Sequence, residues 1–344
     1  MVLLGLIYSY DFDIDNNLLF NWLLNNNTAS SMPPLCRLFL YGIITFALVY
    51  VIVMSQTRSL LKSKKLLKEK EHALDLIEKQ KSELEMREKS ITDSLVYAQR
   101  IQEARLPSET YFRKHFKDSF IFLKPKDIVS GDFYWIGEKN DKVFIVAADC
   151  TGHGVPGALM SMIGIEIIEK TINEDNIEDP SKILSILNKG LEKTFSREKN
   201  IGTIIKDGMD VGLCVIEKKR KKLNYSGAFF PLYLFRDNNL IETKGDKIII
   251  GMNPEDKPYT NHELDLQEDD IFYFFSDGYV DQFGGSENKK FMYRRFRYLL
   301  LTIHRFTVDD QKAILEENIR TWMGNNAQVD DIMVIGFKPL SGEN

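Results

Sequence analysis

Three regimes of hydrophobic patterning follow one another along the 344 residues. In the first, residues 38–54 are almost wholly apolar, with Tyr41 and Tyr50 near the ends and Arg37 just upstream. A run of about 17 residues reaches the lower limit for a bilayer-spanning helix, and Leu35 and Cys36 lengthen it. It lies too far from the first residue to be a simple signal peptide. Residues 35–55 therefore read as a transmembrane helix, with a buried core helix as the alternative.

The second regime, residues 58–106, contains no Gly or Pro and is densely charged. Leu60, Leu67 and Leu74 recur every seven residues, as do Ile77, Leu84, Ile91 and Ala98, and the two series are offset by three, as heptad a and d positions require. Lys81, Glu88 and Gln102 fall at a positions and weaken the seam. The spacing predicts a parallel coiled-coil homodimer over 56–106, with a single solvated helix as the alternative. Pro107 stops that helix.

The third regime alternates short β-rich runs with helical patterns. Strands are expected at 121–123, 133–136, 143–149, 208–216, 222–225, 232–235, 271–275 and 332–337. Apolar residues at three- and four-residue intervals predict helices over 156–171, 180–194 and 308–323. Packed sheets flanked by helices, an α+β domain over 107–340, satisfy both periods.

Charge orients this arrangement. Arg58, Lys62, Lys64, Lys65, Lys68 and Lys70 follow the apolar run, whereas Asp11, Asp13, Asp15 and the lone base Arg37 precede it. By the positive-inside rule the larger C-terminal part is cytoplasmic, which in a bacterium means a single-pass inner-membrane protein. Residues 1–34 form a short extracytoplasmic segment. Asp11, Asp13 and Asp15 open like a calcium loop, but Asn16 stands where Gly is required and Trp22 where Glu is required, so that site is rejected. Net charge is -5 with no aromatic-basic alternation, so nucleic-acid binding is not expected. Cys36, Cys150 and Cys214 have neither metal-site spacing nor an even count and fit a reducing cytoplasm.

Candidate chemistry lies at the ends of the strand-like runs. Asp132 in Ser130-Gly131-Asp132, Asp149 in Asp149-Cys150-Thr151-Gly152-His153-Gly154, Asp277 in Ser276-Asp277-Gly278, and the pair Asp330-Asp331 each border an apolar run. Carboxylates carried by separate strands can converge on metal ions. An oxygen-only donor set favours Mg²⁺ or Mn²⁺ over zinc, which suggests a two-metal hydrolase.

At these residues the sequence resembles the SpoIIE-type branch of the PP2C serine/threonine phosphatases. The motifs are Ser-Gly-Asp-Phe-Tyr, Asp-Cys-Thr-Gly-His-Gly-Val-Pro-Gly-Ala-Leu, Ser-Asp-Gly and Asp-Asp-Ile, in the family's order over roughly residues 95–338. The resemblance implies a PP2C-like β-sandwich flanked by α-helices. It also implies two Mn²⁺ or Mg²⁺ ions holding a water that attacks a phosphoserine or phosphothreonine. Carried over by position, Asp149 would bridge both ions, Asp132 would hold one, and Asp277 with Asp330 the other, with the Cys150 carbonyl completing the set. Asp331, adjacent to Asp330, is the alternative for the last place. Gly152 and Gly154 let the backbone approach a ligand, and His153 would contact phosphate or donate a proton. The Cys150 side chain itself reads as a small buried filler, and Ser276 as shaping its turn.

The chain departs from the family's patterns in two places. Eukaryotic relatives carry an arginine upstream of the first acidic motif, where this chain has Lys124 and Lys126; either lysine, Lys126 in particular, would serve as a point-charge substitute toward phosphate. Many relatives place Ala-Gly-His before prolines where this chain reads Gly227-Ala228-Phe229-Phe230-Pro231. The implied partner is a phosphorylated cytoplasmic regulatory protein, such as an anti-sigma-factor antagonist. Two other readings compete. A silent PP2C-fold scaffold would bind partners through its rod. A sensor histidine kinase would use His72, but no glycine-rich ATP-binding boxes follow it.

Overall fold

A computed structural model describes residues 33–196, 207–253 and 256–340. The Asp11, Asp13 and Asp15 run and most of segment 1–34 lie outside them. The chain divides into two compact units, Met1–Arg87 and Glu88–Asn344.

One uninterrupted helix, α1 (Pro34–Arg105, 72 residues), carries both the apolar run and the charged heptads. Beyond Gly42 it contains no Gly or Pro to break the i→i−4 ladder. Its first part has an 18-residue window of mean hydropathy 2.3 with none of it buried, long and apolar enough to cross a membrane. Further on, the heptad residues Leu60, Leu67, Leu74, Ile77, Leu84 and Ile91 are all exposed. Lys65–Glu69, Lys81–Glu85 and Arg87–Glu83 pair at i,i+4 on its surface, each contributing about 0.3–0.5 kcal/mol. The helix stops at Arg105, ahead of Pro107, and Ser108 caps the next helix, α2 (Glu109–His115), by accepting from the Tyr111 N–H.

The rest of the second unit is a sandwich of two antiparallel sheets. One contains β1 (Ser119–Lys124), β12 (Ile332–Phe337), β9 (Ile271–Phe275), β6 (Leu232–Arg236) and β7 (Asn239–Thr243), in that order across the sheet. The other runs β2 (Phe133–Lys139), β3 (Lys142–Cys150), β4 (Met209–Glu217), β5 (Lys222–Ala228) and β8 (His262–Asp265). A small hairpin joins β10 (Phe283–Gly284) to β11 (Lys289–Lys290).

The period of two along each strand distributes side chains to two cores. On β3, Val143, Ile145 and Ala147 face the other sheet, where they join Leu234, Phe272, Phe274, Met333 and Ile335, with Tyr225 of their own sheet alongside. The alternate residues Phe144, Val146 and Ala148 pack with Ile165 and Ile168 of α3 (Gly154–Asn173) and with Leu184 and Leu187 of α4 (Pro180–Ser196). The outer face of the first sheet is covered likewise, by Phe296 and Leu300 of α6 (Tyr293–Ile303) and Leu315 and Ile319 of α7 (Val308–Met323). A four-residue helix, α5 (Gly278–Asp281), follows β9. The order helix, sheet, sheet, helix is the α+β sandwich that the strand and helix periods call for. Burial on both sheet faces explains why β3 and β9 read as continuous apolar runs rather than alternating ones.

Candidate active site

Sheet register brings the acidic landmarks to one edge of the sandwich. In the β2–β3 ladder Phe133 stands opposite Ala148, so one further step sets Asp132 beside Asp149. In the β3–β4 ladder Asp149 stands opposite Asp210, and Cys150 opposite Met209. In the other sheet, Lys124 at the end of β1 faces Ile332 at the start of β12, and Phe275 at the end of β9 faces Val334. Asp277, just past β9, and Asp330-Asp331, just before β12, therefore share an edge with the loop that leaves β1 toward Asp132. Ser276 stitches that edge together: its N–H donates to the Met333 carbonyl at 3.0 Å and its hydroxyl accepts from the Met333 N–H at 2.9 Å. The turn-shaping role expected of Ser276 is what these two bonds perform.

The two adjacent aspartates differ in what they do. Asp331 is 2% exposed, and its two carboxylate oxygens accept from the main-chain N–H groups of Lys126 and Gly131, each at 2.7 Å. It is a structural clamp across the 125–132 loop. Asp330 has no such double engagement, and its charge acts on Asp132, Asp149 and Asp277. Gly131 is held where a side chain cannot go, since a Cβ there would lie 2.7 Å from the Gly152 carbonyl and 3.3 Å from that of Cys150. The first and second acidic motifs thus meet backbone to backbone.

Electrostatics mark this edge as unusual. Burial, then the Asp149 charge, pushes the Asp132 carboxyl well above the usual range. Asp149 is raised likewise, by burial and then by Asp277, Asp330 and Asp210. Burial with Asp277 pushes Asp210 up to about 7, and burial with Asp281 and Asp330 pushes Asp277 up to about 6. Asp132 Oδ2 is buried with no hydrogen-bond partner, a costly state for a carboxylate unless a cation satisfies it. Among the described residues no three such side chains stand in a finished metal shell. An all-oxygen set, raised by burial and then by mutual repulsion and including an orphaned buried oxygen, fits a divalent cation of the Mg²⁺ or Mn²⁺ kind.

The remaining expected residues surround this cluster. Cys150 is buried at the end of β3, and burial, with Asp149 beside it, raises its thiol well above the usual value, so its side chain is filler rather than nucleophile. Gly152, His153 and Gly154 form the turn from β3 into α3, with both glycines at positive φ (+85° and +67°). His153 Nδ1 lies 2.5 Å from Asp127 Oδ2. Lys126 lies in the same loop, tied to the site by its main-chain N–H through Asp331.

Two residues here are absent from the sequence-based set. Asp210 borders the apolar run 211–216 as the other landmarks border theirs, and that shared pattern was the available signal. Gln102, expected to weaken a coiled-coil seam, is instead 5% exposed against the second unit's own loop. Its Nε2 donates to the Ser130 carbonyl at 2.6 Å and to Ser161 Oγ at 2.9 Å, and its Oε1 accepts from the Ser130 N–H at 3.1 Å. Three residues on, Arg105 bonds Glu166 and Glu169 of α3, each at 2.8 Å.

A sequence model of the Stage II sporulation protein E (SpoIIE) family matches residues 139–339. The phosphoserine phosphatase RsbU of Bacillus subtilis (strain 168) is 26% identical over 162 residues, which cover 46% of this chain and 44% of RsbU. The chain thus aligns with less than half the length of that relative. The SiaA-PP2C domain of Pseudomonas aeruginosa is similar in structure, with a TM-score of 0.66 and 34% identity over 73% of this chain and 98% of that domain. The PP2C phosphatase domain of SpoIIE from Bacillus subtilis shares the fold at a TM-score of 0.51 and 18% identity, over 64% of this chain and 62% of that one. With its acidic edge built on that sandwich, the chain belongs to the SpoIIE family of PP2C-type phosphatase domains.

Proposed function

We propose that this chain is a membrane-tethered, metal-dependent protein phosphatase that hydrolyses phosphoserine or phosphothreonine on a cytoplasmic regulatory protein. The observation that carries the reading is the convergence of Asp132, Asp149, Asp277 and Asp330, contributed by two sheets, at one electrostatically strained edge of a SpoIIE-family domain. RsbU, similar over part of its length, is a phosphoserine phosphatase.

Asp149 stands opposite Asp210 and beside Asp132, and in this reading it would be shared between two Mn²⁺ or Mg²⁺ ions. Asp132 and the Cys150 carbonyl would serve one side, and Asp277 and Asp330 the other. Bound there, the ions would lower the pKa of a water and screen the phosphoryl charge. The chain's own residues do the rest. Asp331 fixes the 125–132 loop by gripping two main-chain N–H groups, the Gly131 contact sets the spacing of the two motifs, and Gly152, with open space where a Cβ would lie, leaves room for a phosphoryl group. Nothing in this chemistry needs a protein nucleophile.

The apolar part of α1 supports an inner-membrane anchor with the second unit cytoplasmic, and the exposed heptad face supports a homodimer. Full-length protein in detergent should release phosphate from a phosphoserine peptide with Mn²⁺ present. Asp149→Asn and excess chelator should each abolish the release. Turnover that survives both would overturn the reading, and metal binding without turnover would favour a non-catalytic scaffold.

A further inference from the structure

The contact between Asp127 and His153 has no part in holding the acidic cluster, and its geometry is that of a carboxylate orienting an imidazole. Asp127 leaves the end of β1 in the loop clamped by Asp331, while His153 ends the turn that follows β3. Their side chains meet at 2.5 Å, Oδ2 to Nδ1, across 26 residues of sequence. The niche is shaped for the carboxylate: a Cβ on Gly154 would come within 3.0 Å of Asp127 Oδ2, and Gly154 sits at φ +67°, which a side chain would also strain. His153 is the residue before α3 but makes no side-chain capping bond to that helix. Both groups remain about half exposed, 45% for His153 and 47% for Asp127, so a substrate can reach the ring. An exposed ion pair of this kind contributes little to folding.

We propose that Asp127 is a positioning residue for proton donation by His153 to the leaving group. This rests on the phosphatase reading above. An ionised Asp127 is an acceptor only, so Nδ1 carries the hydrogen between them; in the imidazolium form both ring nitrogens bear hydrogen, which leaves the Nε2 N–H as the one to give. In the step, the water oxygen bonds to phosphorus and one of its protons passes to solvent. The ester P–O bond breaks with its electron pair going to the serine Oγ, and that oxygen takes the proton from His153 Nε2. Solvent then returns a proton to the imidazole, and one water is consumed per serine and phosphate released. Asp127 holds the ring through Nδ1 throughout, as the oriented base–acid pairs of other hydrolases require.

Leaving-group dependence separates this role from a structural one. A serine alkoxide needs a proton as it departs, whereas p-nitrophenolate departs as a stable anion. With full-length protein and Mn²⁺, Asp127→Asn should cut kcat on a phosphoserine peptide by at least tenfold, within the roughly 10²- to 10⁴-fold that general-acid catalysis supplies. Its loss on p-nitrophenyl phosphate should be at least tenfold smaller. Asp127→Glu should recover part of the peptide rate, and Asp127→Asn added to His153→Ala should cost no more than His153→Ala alone. Equal losses on both substrates, or an undiminished peptide rate, would overturn the assignment while leaving the phosphatase reading standing. A wild type that hydrolyses neither substrate would overturn both.

Discussion

The middle of β3 and the aspartate near its end are built to opposite rules. From Val143 to Ala148 every side chain is buried among apolar partners, on the sandwich side by Phe274 and Ile335 and on the helix side by Ile165 and Leu187. One residue later stands Asp149, facing Asp210 and within the fields of Asp277 and Asp330. The first region gains stability by excluding water. The second gives stability up, because burying several like charges raises the free energy of each ionised form. What the comparison teaches is a division of labour within one strand: the apolar stretch is rigid enough to hold charges where they would otherwise separate.

The largest effect expected is on activity. Asp149→Asn should lower phosphoserine turnover by more than the ~100-fold that loss of even an outer-shell partner can cause, yet leave the metal-free fold at least as stable, as thermal melting would show. A destabilised Asp149→Asn would break the comparison, since removing a repelled charge should not weaken the fold.

Phe144→Ala does the reverse. Removing a fully buried ring between β3 and the α3 and α4 helices should cost about 3–5 kcal/mol in denaturant unfolding, while the midpoint of Mn²⁺ activation in the surviving folded fraction stays near that of wild type. Asp331→Asn lies between the two. It weakens one main-chain grip on the 125–132 loop, so a loss of about 1–3 kcal/mol should come with weaker Mn²⁺ binding in a direct titration.

The pH dependence follows from Asp210 and Asp277. Their folded pKa values, about 7 and about 6, lie above the ordinary carboxylate range, so between those limits the folded state holds protons that the unfolded state has released. These two groups therefore favour folding at low pH, and their contribution falls as pH rises from about 4 toward 7. For metal-free protein the melting temperature should drop from pH 5.5 to pH 7.5, and the drop should shrink in Asp210→Asn. A smaller effect still is expected of Gln102→Ala. Loss of three hydrogen bonds at the end of α1 should raise the Mn²⁺ concentration needed for half-maximal activity a few-fold, read in the same activation curve.

Much of this was legible in the sequence because apolar periodicity and acidic punctuation are local signals. The runs around β3, β9 and β12 are unbroken enough to announce doubly buried strands, with Asp149 directly after the first and Asp277 and Asp330 within two residues of the other two, while Asp132 directly precedes β2. What was not legible depends on tertiary partners. In α6, Arg294, Arg295 and Arg297 interrupt the aromatic and leucine positions, and only packing of Phe296 and Leu300 on the first sheet settles it as helix. Strands β7 and β8 lie at sheet edges, where alternation is short and polar. Gln102 fitted a heptad position by spacing alone, and its real partners, Ser130 and Ser161, lie 28 and 59 residues away. The difference between Asp330 and Asp331 is likewise a matter of which carboxylate the Lys126 and Gly131 N–H groups engage, a contact that spacing does not encode.

The central claim is that the charges at the end of β3 form a site shared by two cations. A titration of Mn²⁺ into full-length protein, followed by the loss of its free-ion electron paramagnetic resonance signal, tests this directly. The account predicts two ions bound per chain, one lost in Asp132→Asn or Asp277→Asn, and both weakened together in Asp149→Asn. Two ions bound by Asp149→Asn with wild-type affinity would contradict it.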